Sequence, residues 1–242
     1  SWKYSRLKHK INYEHREKKL LKLLEKHRGK HGEYDCIVPG SGGKDSCYAS
    51  HILKNKYGMN PLTVTWPPIL YTDYGYKNYK NWLSTDGLSN VTPKRDEFTM
   101  KYLTKLAILN LMHPFQTFIL GQKIFATKIS IKYKIPLVFF GENEAEHGNP
   151  IADNNKSIRD NSYFTYKNFN KIYLGGVKIK DLINEHRLKY KNLKIFLPPE
   201  KNELLKFKTE THYLGYYLQW IPQETYYYAV KNCKFRPRPF RT

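Results

Sequence analysis

Apolar positions along the first 140 residues alternate between helix-like and strand-like spacing. Residues 14–27 place Leu side chains near helical period between charged residues, which predicts an amphipathic helix. Short apolar runs at residues 34–39, 61–66 and 135–140 end at Gly, Pro or polar residues and predict strands. Residues 45–57, 95–112 and 115–133 between them carry helical periodicity. Strands that alternate with long helices predict βαβ units and a parallel sheet, an α/β fold.

The pattern is looser after about residue 150. Residues 88–92 favour a further, weaker strand, and residues 174–187 and 222–231 favour helices. We therefore expect an N-terminal helix in residues 1–32, a parallel-sheet domain in residues 33–150 and a smaller, mainly helical lobe in residues 151–242. The last of these is expected to contact a substrate or a partner.

Composition narrows the class of protein. The 242 residues are 40% hydrophobic and 15% aromatic, which excludes wholesale disorder. The apolar runs are too short to span a bilayer, and three cysteines without a CxxC pair favour a reduced, cytoplasmic setting. The net charge of +21 has two interpretations, a solvated surface or a polyanionic ligand, with a nucleotide favoured over nucleic acid.

Unusual sequence follows each of the clear strands. PGSGGKDS follows the first, TWPPILYTDYGYKNYKNW overlaps the end of the second, and GENEAEHGNP follows the third. Because ligands of open parallel sheets bind beyond the carboxyl ends of the strands, these segments predict one shared site.

The glycine-rich segment is the strongest candidate for phosphate binding. Consecutive glycines let backbone N–H groups converge on an anion, and the helix that follows directs its positive end there. Asp45 after Gly43 and Lys44 excludes a Walker A loop, and the same residue excludes a GxGxxG dinucleotide loop. The candidate ligands of ATP and pyrophosphate are Gly40, Ser41, Gly42, Gly43, Lys44, Asp45 and Ser46.

SGGKDS resembles the PP-loop of the ATP pyrophosphatase superfamily, which includes GMP synthetase, NAD synthetase and tRNA-lysidine synthetase. The resemblance implies a loop that holds the β- and γ-phosphates while a substrate oxygen attacks the α-phosphate and pyrophosphate leaves. It also implies roles for Lys44 at the phosphates and for Asp45 toward Mg²⁺ and the phosphates.

Longer segments are similar to N-acetyl sugar amidotransferases of bacterial surface-sugar biosynthesis. These segments are residues 65–82, 114–150 and 212–230, and the similarity runs from about residue 34 to the last residue. It implies conversion of an acetamido group on an activated, anionic or nucleotide-linked sugar into an acetamidino group. Ammonia would come from a separate glutaminase with a cyclase-like subunit.

Members of that family usually begin with a cysteine-rich segment that resembles a zinc-binding site, and they continue beyond the equivalent of Thr242. We therefore expect no zinc in this chain, and site residues at either end to lie outside it.

Other residues at the strand ends are candidates for the metal, the nucleotide and the substrate. The acidic residues after the third strand are either a polar loop or hard ligands for Mg²⁺, and we assign Glu146, then Glu142, with Asp45. Thr65 and Asn143 are assigned to ATP. Tyr71, Asp73, Lys77 and Asn78 are substrate candidates, and an interface or a packed lid explains them equally well. Gln122 and Lys123 fit a solvated helix face, but their similarity to the family segment FILGQK favours the site. Arg159 is a candidate clamp for an anionic group of the substrate.

Two other classes of function compete with the sugar amidotransferase. A PP-loop tRNA-modifying enzyme, lysidine- or thio-forming, is favoured by the charge of +21. Sulfur transfer generally needs a catalytic Cys pair or a persulfide Cys, and none of the three cysteines is well placed for that role. A nucleotide-binding stress protein without enzymatic activity is disfavoured by the intact SGGKDS and the carboxylates near it. Membrane association is not expected.

Overall fold

The computed structural model describes residues 10–141, 156–159 and 172–239 of the chain. Helix α1 (Tyr13–His27) begins at Asn12, whose side chain accepts a hydrogen bond from the His15 N–H at 2.9 Å. It buries Leu20 and Leu24 against the sheet, so the predicted N-terminal helix is confirmed.

The described residues form a five-stranded parallel sheet, with a separate antiparallel hairpin. The strands are β1 (Cys36–Pro39), β2 (Pro61–Val64), β3 (Asn90–Val91), β4 (Leu137–Phe140), β5 (Tyr173–Leu174), β6 (Val177–Lys178) and β7 (Glu210–Tyr213). Their order in the large sheet is β3-β2-β1-β4-β7, and each neighbouring pair is parallel. The predicted α/β fold with a parallel sheet is confirmed.

Helices cover both faces of this sheet. They are α2 (Lys44–His51, continued by a π-helical turn Ile52–Lys56), α3 (Asp73–Thr85), α4 (Glu97–Leu111), α5 (Gln116–Tyr133), α6 (Ile179–Asn184), α7 (Tyr190–Leu193, continued by a 3₁₀ turn Lys194–Phe196), α8 (Lys201–Phe207), α9 (Leu214–Tyr217) and α10 (Pro222–Asn232). The helices predicted at residues 45–57, 95–112, 115–133 and 222–231 are confirmed, whereas α3 was not anticipated.

Successive side chains of β1 point to opposite faces of the sheet, so the strand contributes to a hydrophobic core on each face. Ile37 of β1 packs with α4 and α5, and its neighbours Cys36 and Val38 pack on the other face with α1 and α2. A strand buried on both faces reads as one apolar run, which is why β1, β2 and β4 were recognisable in the sequence.

A correction concerns residues 174–187, for which helix was predicted along the whole range. Residues 173–178 form the β5–β6 hairpin, and α6 begins only at Ile179. Gly175 and Gly176 take φ values of 62° and 79°, which open a tight turn that a helix would not contain.

Strand β7 completes the sheet from the region assigned to the C-terminal lobe. It pairs in parallel with β4, with Val138 opposite Thr211 and Phe139 opposite His212. Its residues Thr211 and His212 are buried although they are polar. The His212 Nδ1 lies 2.8 Å from the Tyr217 hydroxyl, and its Nε2 lies 3.5 Å from a carboxylate oxygen of Glu210.

We expect the fold to lose stability as the pH falls from about 6.5 toward 4, because of His212. Burial lowers the pKa of His212 to about 4, so between that value and the pKa of the unfolded chain the unfolded state binds more protons. The effect is on the order of 3 kcal/mol. Thermal unfolding at stepped pH should show this slope in the wild type and a weaker slope in His212→Gln, with the exposed His15→Gln as control. Equal slopes in the wild type and both variants would contradict this account of His212.

Candidate nucleotide-binding site

The glycine loop leaves β1 where the order of strands reverses. Chain connections run from β1 outward to β2 and β3 on one side, while β4 lies on the other, so β1 and β4 border the crevice in which open α/β sheets bind ligands. The Gly40 N–H donates to the Val64 carbonyl at 2.9 Å and extends the ladder between β1 and β2. The loop is therefore anchored directly on the sheet.

Helix α2 begins inside the loop at Lys44, with Gly43 as its N-cap. The Gly43 carbonyl accepts from the Ser46 hydroxyl at 2.9 Å and from the Cys47 N–H at 3.0 Å, and the Gly42 carbonyl accepts from the Cys47 thiol at 3.6 Å. With these carbonyls turned toward the helix, the N–H groups of the first helical turn have no intrahelical acceptor. That arrangement suits an anion at the helix N-terminus.

The three glycines of the loop differ in how much space a side chain would have at each position. A Cβ on Gly42, whose φ is 81°, would lie 2.5 Å from the Tyr79 Cα, and a Cβ on Gly40 would lie 2.8 Å from the Trp82 ring. Gly43 has φ −72° and ψ 164°, which any residue adopts, and a Cβ there would meet nothing within 4 Å. Packing therefore requires Gly40 and Gly42, whereas Gly43 keeps space open at the mouth of the loop.

Lys44 and Asp45 face each other at this mouth. The Lys44 Nζ lies 2.7 Å and 2.8 Å from the two carboxylate oxygens of Asp45, and both side chains are about one-third exposed (28% and 34%). A cation and a carboxylate so close to the first helical turn are placed to bind a phosphate and its counter-ion, respectively.

An apolar cavity of about 360 Å³ opens beside Gly40 and Ser41, at the carboxyl ends of β1, β2 and β4. Trp66 forms one wall, with its ring edge-on to Phe125 at a centroid distance of 5.7 Å. The Trp66 ring also packs closely against α5 at Gly121, where a Cβ would lie 2.5 Å from a ring carbon. Glycine at this position therefore makes room for the ring. Tyr71 and Gln122 supply polar groups to the same cavity.

Two groups beside this cavity have shifted pKa values that follow from burial. Burial raises the pKa of Tyr71, which keeps its phenol neutral and able to donate a hydrogen bond. Burial lowers the pKa of Arg95, which nevertheless stays charged. The Arg95 Nη1 donates to the Pro67 carbonyl at 2.7 Å and its guanidinium lies 5.7 Å from the Trp66 ring centroid. Arg95 thereby holds Trp66 and Pro67, the residues that follow β2, in place beside the cavity.

A second cavity, of about 350 Å³, opens along the other side of the loop. We call it the arginine cavity, because Arg236 and Arg238 line it together with Ser41, Gly42 and Gly43. It also borders the N-terminal part of α3. The loop is thus flanked by an apolar wall at its beginning and by cationic side chains at its tip.

Several predicted site residues gather around the loop. Tyr71 and Gln122 line the apolar cavity, and Asn78 lines the arginine cavity. The Asn78 side chain is buried and is occupied by the backbone of Arg236, to which it both donates and accepts a hydrogen bond. Asn78 is therefore placed to position a segment, and its amide is not turned to a ligand.

Other predicted residues that the structure describes line neither of these two cavities. The Thr65 hydroxyl accepts from the Asn90 amide at 3.0 Å within the sheet. Asp73 and Lys77 are exposed on α3, and Lys123 is half-buried on α5. Arg159 lies 5.7 Å from the Tyr213 ring centroid, at the carboxyl end of β7. Glu142, Asn143 and Glu146 lie outside the described residues.

Sequence reasoning missed part of the walls of both cavities. Trp66, Phe118 and Phe125 were not singled out, because a buried aromatic side chain in a strand or helix gives no sign that it borders a cavity. Arg236 and Arg238 were missed although FRPRP carries a signal. A residue before proline favours an extended backbone, so this repeat predicts an extended segment that carries two cations.

Metal ligands do not converge elsewhere in the part of the chain that the structure describes, where no three His, Cys, Asp or Glu side chains form such a group. The three cysteines are free thiols and are buried. Burial raises the pKa of Cys36, and a hydrogen bond with Cys233 together with burial raises that of Cys47. Cys36 and Cys47 are therefore poor sources of thiolate. Among the described helices, none is long and apolar enough to cross a bilayer.

The fold agrees with the predicted class, an α/β fold with a parallel sheet. The glycine loop follows the first strand, and the strand order reverses beside it.

No family model matches the chain. A segment of 58 residues is 41% identical to an uncharacterized protein of Methanocaldococcus jannaschii, and the match covers 24% of this chain and 21% of that protein. Among solved structures, the chain is similar to the U34-tRNA thiolase NcsA of Methanococcus maripaludis, solved with its 4Fe-4S cluster. That match has a TM-score of 0.43 and 14% identity, and it covers 95% of this chain and 69% of the other.

Proposed function

We propose that this chain is a PP-loop enzyme that binds ATP and cleaves it between the α- and β-phosphates. The observation that carries the proposal is Gly43, where neither backbone conformation nor packing explains a glycine. A phosphate group bound by the first-turn N–H groups of α2 would occupy the space that a side chain at Gly43 would fill.

We further propose that the substrate is an N-acetyl sugar in an activated, anionic or nucleotide-linked form. The segments that resemble sugar amidotransferases supply neighbouring walls of one cavity. Trp66 and Tyr71 come from the first segment, and Phe118, Gln122 and Phe125 come from the second. Aromatic walls with a few polar groups suit a pyranose ring and its acetamido group.

The reaction would proceed in two displacements. The acetamido oxygen attacks the α-phosphorus of ATP, the bond to the β-phosphate oxygen breaks, and pyrophosphate leaves. Ammonia then attacks the imidate carbon, and the carbon–oxygen bond breaks to release AMP and an amidine. Adenylation is needed because an amide oxygen is a poor leaving group. Lys44, beside the loop, would stabilise the charge that develops on pyrophosphate.

Magnesium is expected to accompany ATP in this site. Asp45 is the described carboxylate at the loop mouth, and Mg²⁺ bound to nucleotides commonly takes one or two carboxylates with phosphate oxygens. Glu146 and Glu142 remain the proposed further ligands. Bound Mg²⁺ would neutralise phosphate charge.

A tRNA-modifying PP-loop enzyme is the second candidate, and the named solved structure belongs to that class. The observation that favours it is the net charge of +21, since cationic surfaces attract nucleic acid. A thio-forming version would need reactive sulfur ligands, and the buried cysteines of this chain with raised pKa values do not supply them. Lysidine-like chemistry, in which an amine displaces AMP, is compatible with the same loop.

Ammonia is the proposed nitrogen donor, delivered by a separate glutaminase with a cyclase-like subunit. Glutamine hydrolysis uses an activated nucleophile, usually a cysteine paired with a base. Cys36, Cys47 and Cys233 are buried at 0%, 1% and 2% exposure, which leaves them inaccessible to glutamine. Delivery into a closed site would also protect the imidate from water, which regenerates the starting amide.

Mass spectrometry of reaction products tests both proposals. The purified chain is incubated with ATP, Mg²⁺, ammonium and a panel of free and nucleotide-linked diacetamido sugars, and in parallel with unmodified tRNA. We expect a sugar product in which NH replaces O, formed with ammonium but not with glutamine. A modified tRNA nucleoside and unchanged sugars would favour the second candidate. Robust turnover with glutamine alone, insensitive to substitution of the three cysteines, would contradict the need for a partner.

A further inference from the structure

We propose that Arg236 and Arg238 form the second wall of the polyphosphate site and bind the β- and γ-phosphates of ATP opposite the glycine loop. The inference rests on the proposed function for the identity of the nucleotide. These arginines lie in the segment after α10, almost two hundred residues from the loop in sequence, yet they line the same cavity as Ser41, Gly42 and Gly43.

The backbone of this segment is held in place by hydrogen bonds to α3 and α10. Asn78 donates to the Arg236 carbonyl at 2.9 Å and accepts from the Arg236 N–H at 2.8 Å, and the Asn81 amide donates to the Lys234 carbonyl at 2.8 Å. The Phe235 N–H donates to the Ala229 carbonyl at 3.2 Å. Because Asn78 is buried, this attachment is shielded from water.

The side chains of the two arginines are exposed, although their backbone is held in place. Arg236 and Arg238 are exposed, and each precedes a proline, which favours an extended conformation at both positions. Both arginines line one cavity together with the glycine loop. A firmly held backbone thus carries two guanidinium groups at this cavity.

The chemistry of the cavity fits a chain of phosphates. The loop offers backbone N–H groups and Lys44, and the facing arginines offer planar donor forks that match phosphate oxygens. Charge develops on the leaving pyrophosphate during adenylation, so cations on both sides would stabilise departure as well as binding. The diphosphate of a nucleotide-linked sugar has the same chemistry, and the test separates these sources.

Calorimetric titration with Mg²⁺-ATP, AMP, inorganic pyrophosphate and UDP tests the assignment. In Arg236→Ala/Arg238→Ala we expect the affinities for ATP and pyrophosphate to fall roughly 10- to 100-fold while AMP binding is unchanged. Arg236→Lys/Arg238→Lys should retain part of the affinity and guards against a folding defect. Lys231→Ala, an exposed cation in the last turn of α10, is the matched control and should bind like the wild type.

The possible outcomes separate this proposal from the function on which it rests. A wild-type chain that binds neither ATP nor pyrophosphate would overturn the proposed function. A wild-type chain that binds both, with affinities that the double variant keeps, would overturn the arginine assignment alone. A loss confined to UDP, or an equal loss for AMP and pyrophosphate, would also overturn the assignment to the β- and γ-phosphates.

Discussion

Replacement of Lys44 by alanine is expected to slow pyrophosphate release from ATP by a factor on the order of 10² to 10³. The Lys44 Nζ lies 2.7 Å from an Asp45 carboxylate oxygen at the mouth of the glycine loop, where the phosphates are proposed to bind. Its removal would take away a charge-assisted contact to the leaving group and would leave Asp45 without its cation. Initial rates of pyrophosphate formation at saturating ATP measure the effect.

The control for this prediction is Lys18→Ala, which removes an exposed cation from α1, far along the chain from the loop. It should leave the rate unchanged. If Lys44→Ala and Lys18→Ala both release pyrophosphate at the wild-type rate, Lys44 has no part in phosphate chemistry.

Alanine at Gly43 and at Gly42 is expected to separate ligand binding from folding. Gly43→Ala should fold with an unchanged melting temperature, because its Cβ meets no protein atom within 4 Å, yet it should weaken ATP binding at least tenfold by filling the phosphate space. Gly42→Ala should lower the free energy of unfolding by roughly 1–3 kcal/mol, because its Cβ would lie 2.5 Å from the Tyr79 Cα at a φ of 81°.

Thermal unfolding and ATP titration of both variants measure the two effects. A Gly43→Ala variant that binds ATP as tightly as the wild type would show that the open space at the loop mouth is not a phosphate site. A Gly42→Ala variant as stable as the wild type would contradict the packing account of the loop.

The parts of the fold that sequence predicted are those specified by local pattern. Strands β1, β2 and β4 are buried on both faces and appear in the sequence as apolar runs. The glycine loop is a contiguous segment of the sequence and is recognisable as a motif. Strand β7 was missed because its buried residues Thr211 and His212 are polar, and His212 is accommodated by a hydrogen bond with Tyr217. A polar strand in a buried position has no hydrophobic periodicity to detect.

Helix α3 shows a different failure. Its sequence DYGYKNYKNWLST contains a glycine and many aromatic residues, which obscured its helical pattern. The local signal lay at its start, where the Thr72 hydroxyl accepts from the Gly75 N–H at 3.1 Å and Asp73 occupies the first turn.

The arginine cavity could not be predicted from spacing, because it depends on contacts between distant parts of the chain. Asn78 and Arg236 are 158 positions apart, and their paired hydrogen bonds exist only after the sheet and α10 have assembled. From the sequence, Asn78 was a candidate for substrate contact or for packing, and in the structure its amide hydrogen-bonds the Arg236 backbone.

Pyrophosphate exchange tests the central claim most directly, because only an adenylating enzyme can return labelled pyrophosphate to ATP. The purified chain is incubated with unlabelled ATP, Mg²⁺, labelled pyrophosphate and each diacetamido sugar, without ammonia. The account predicts sugar-dependent incorporation of label into ATP, which is lost in Gly43→Ala. Added ammonium should lower this incorporation, because ammonia consumes the adenylated sugar and releases AMP and the amidine. Formation of ADP and orthophosphate, with no label entering ATP, would contradict cleavage at the α-phosphate and the proposed role of the glycine loop.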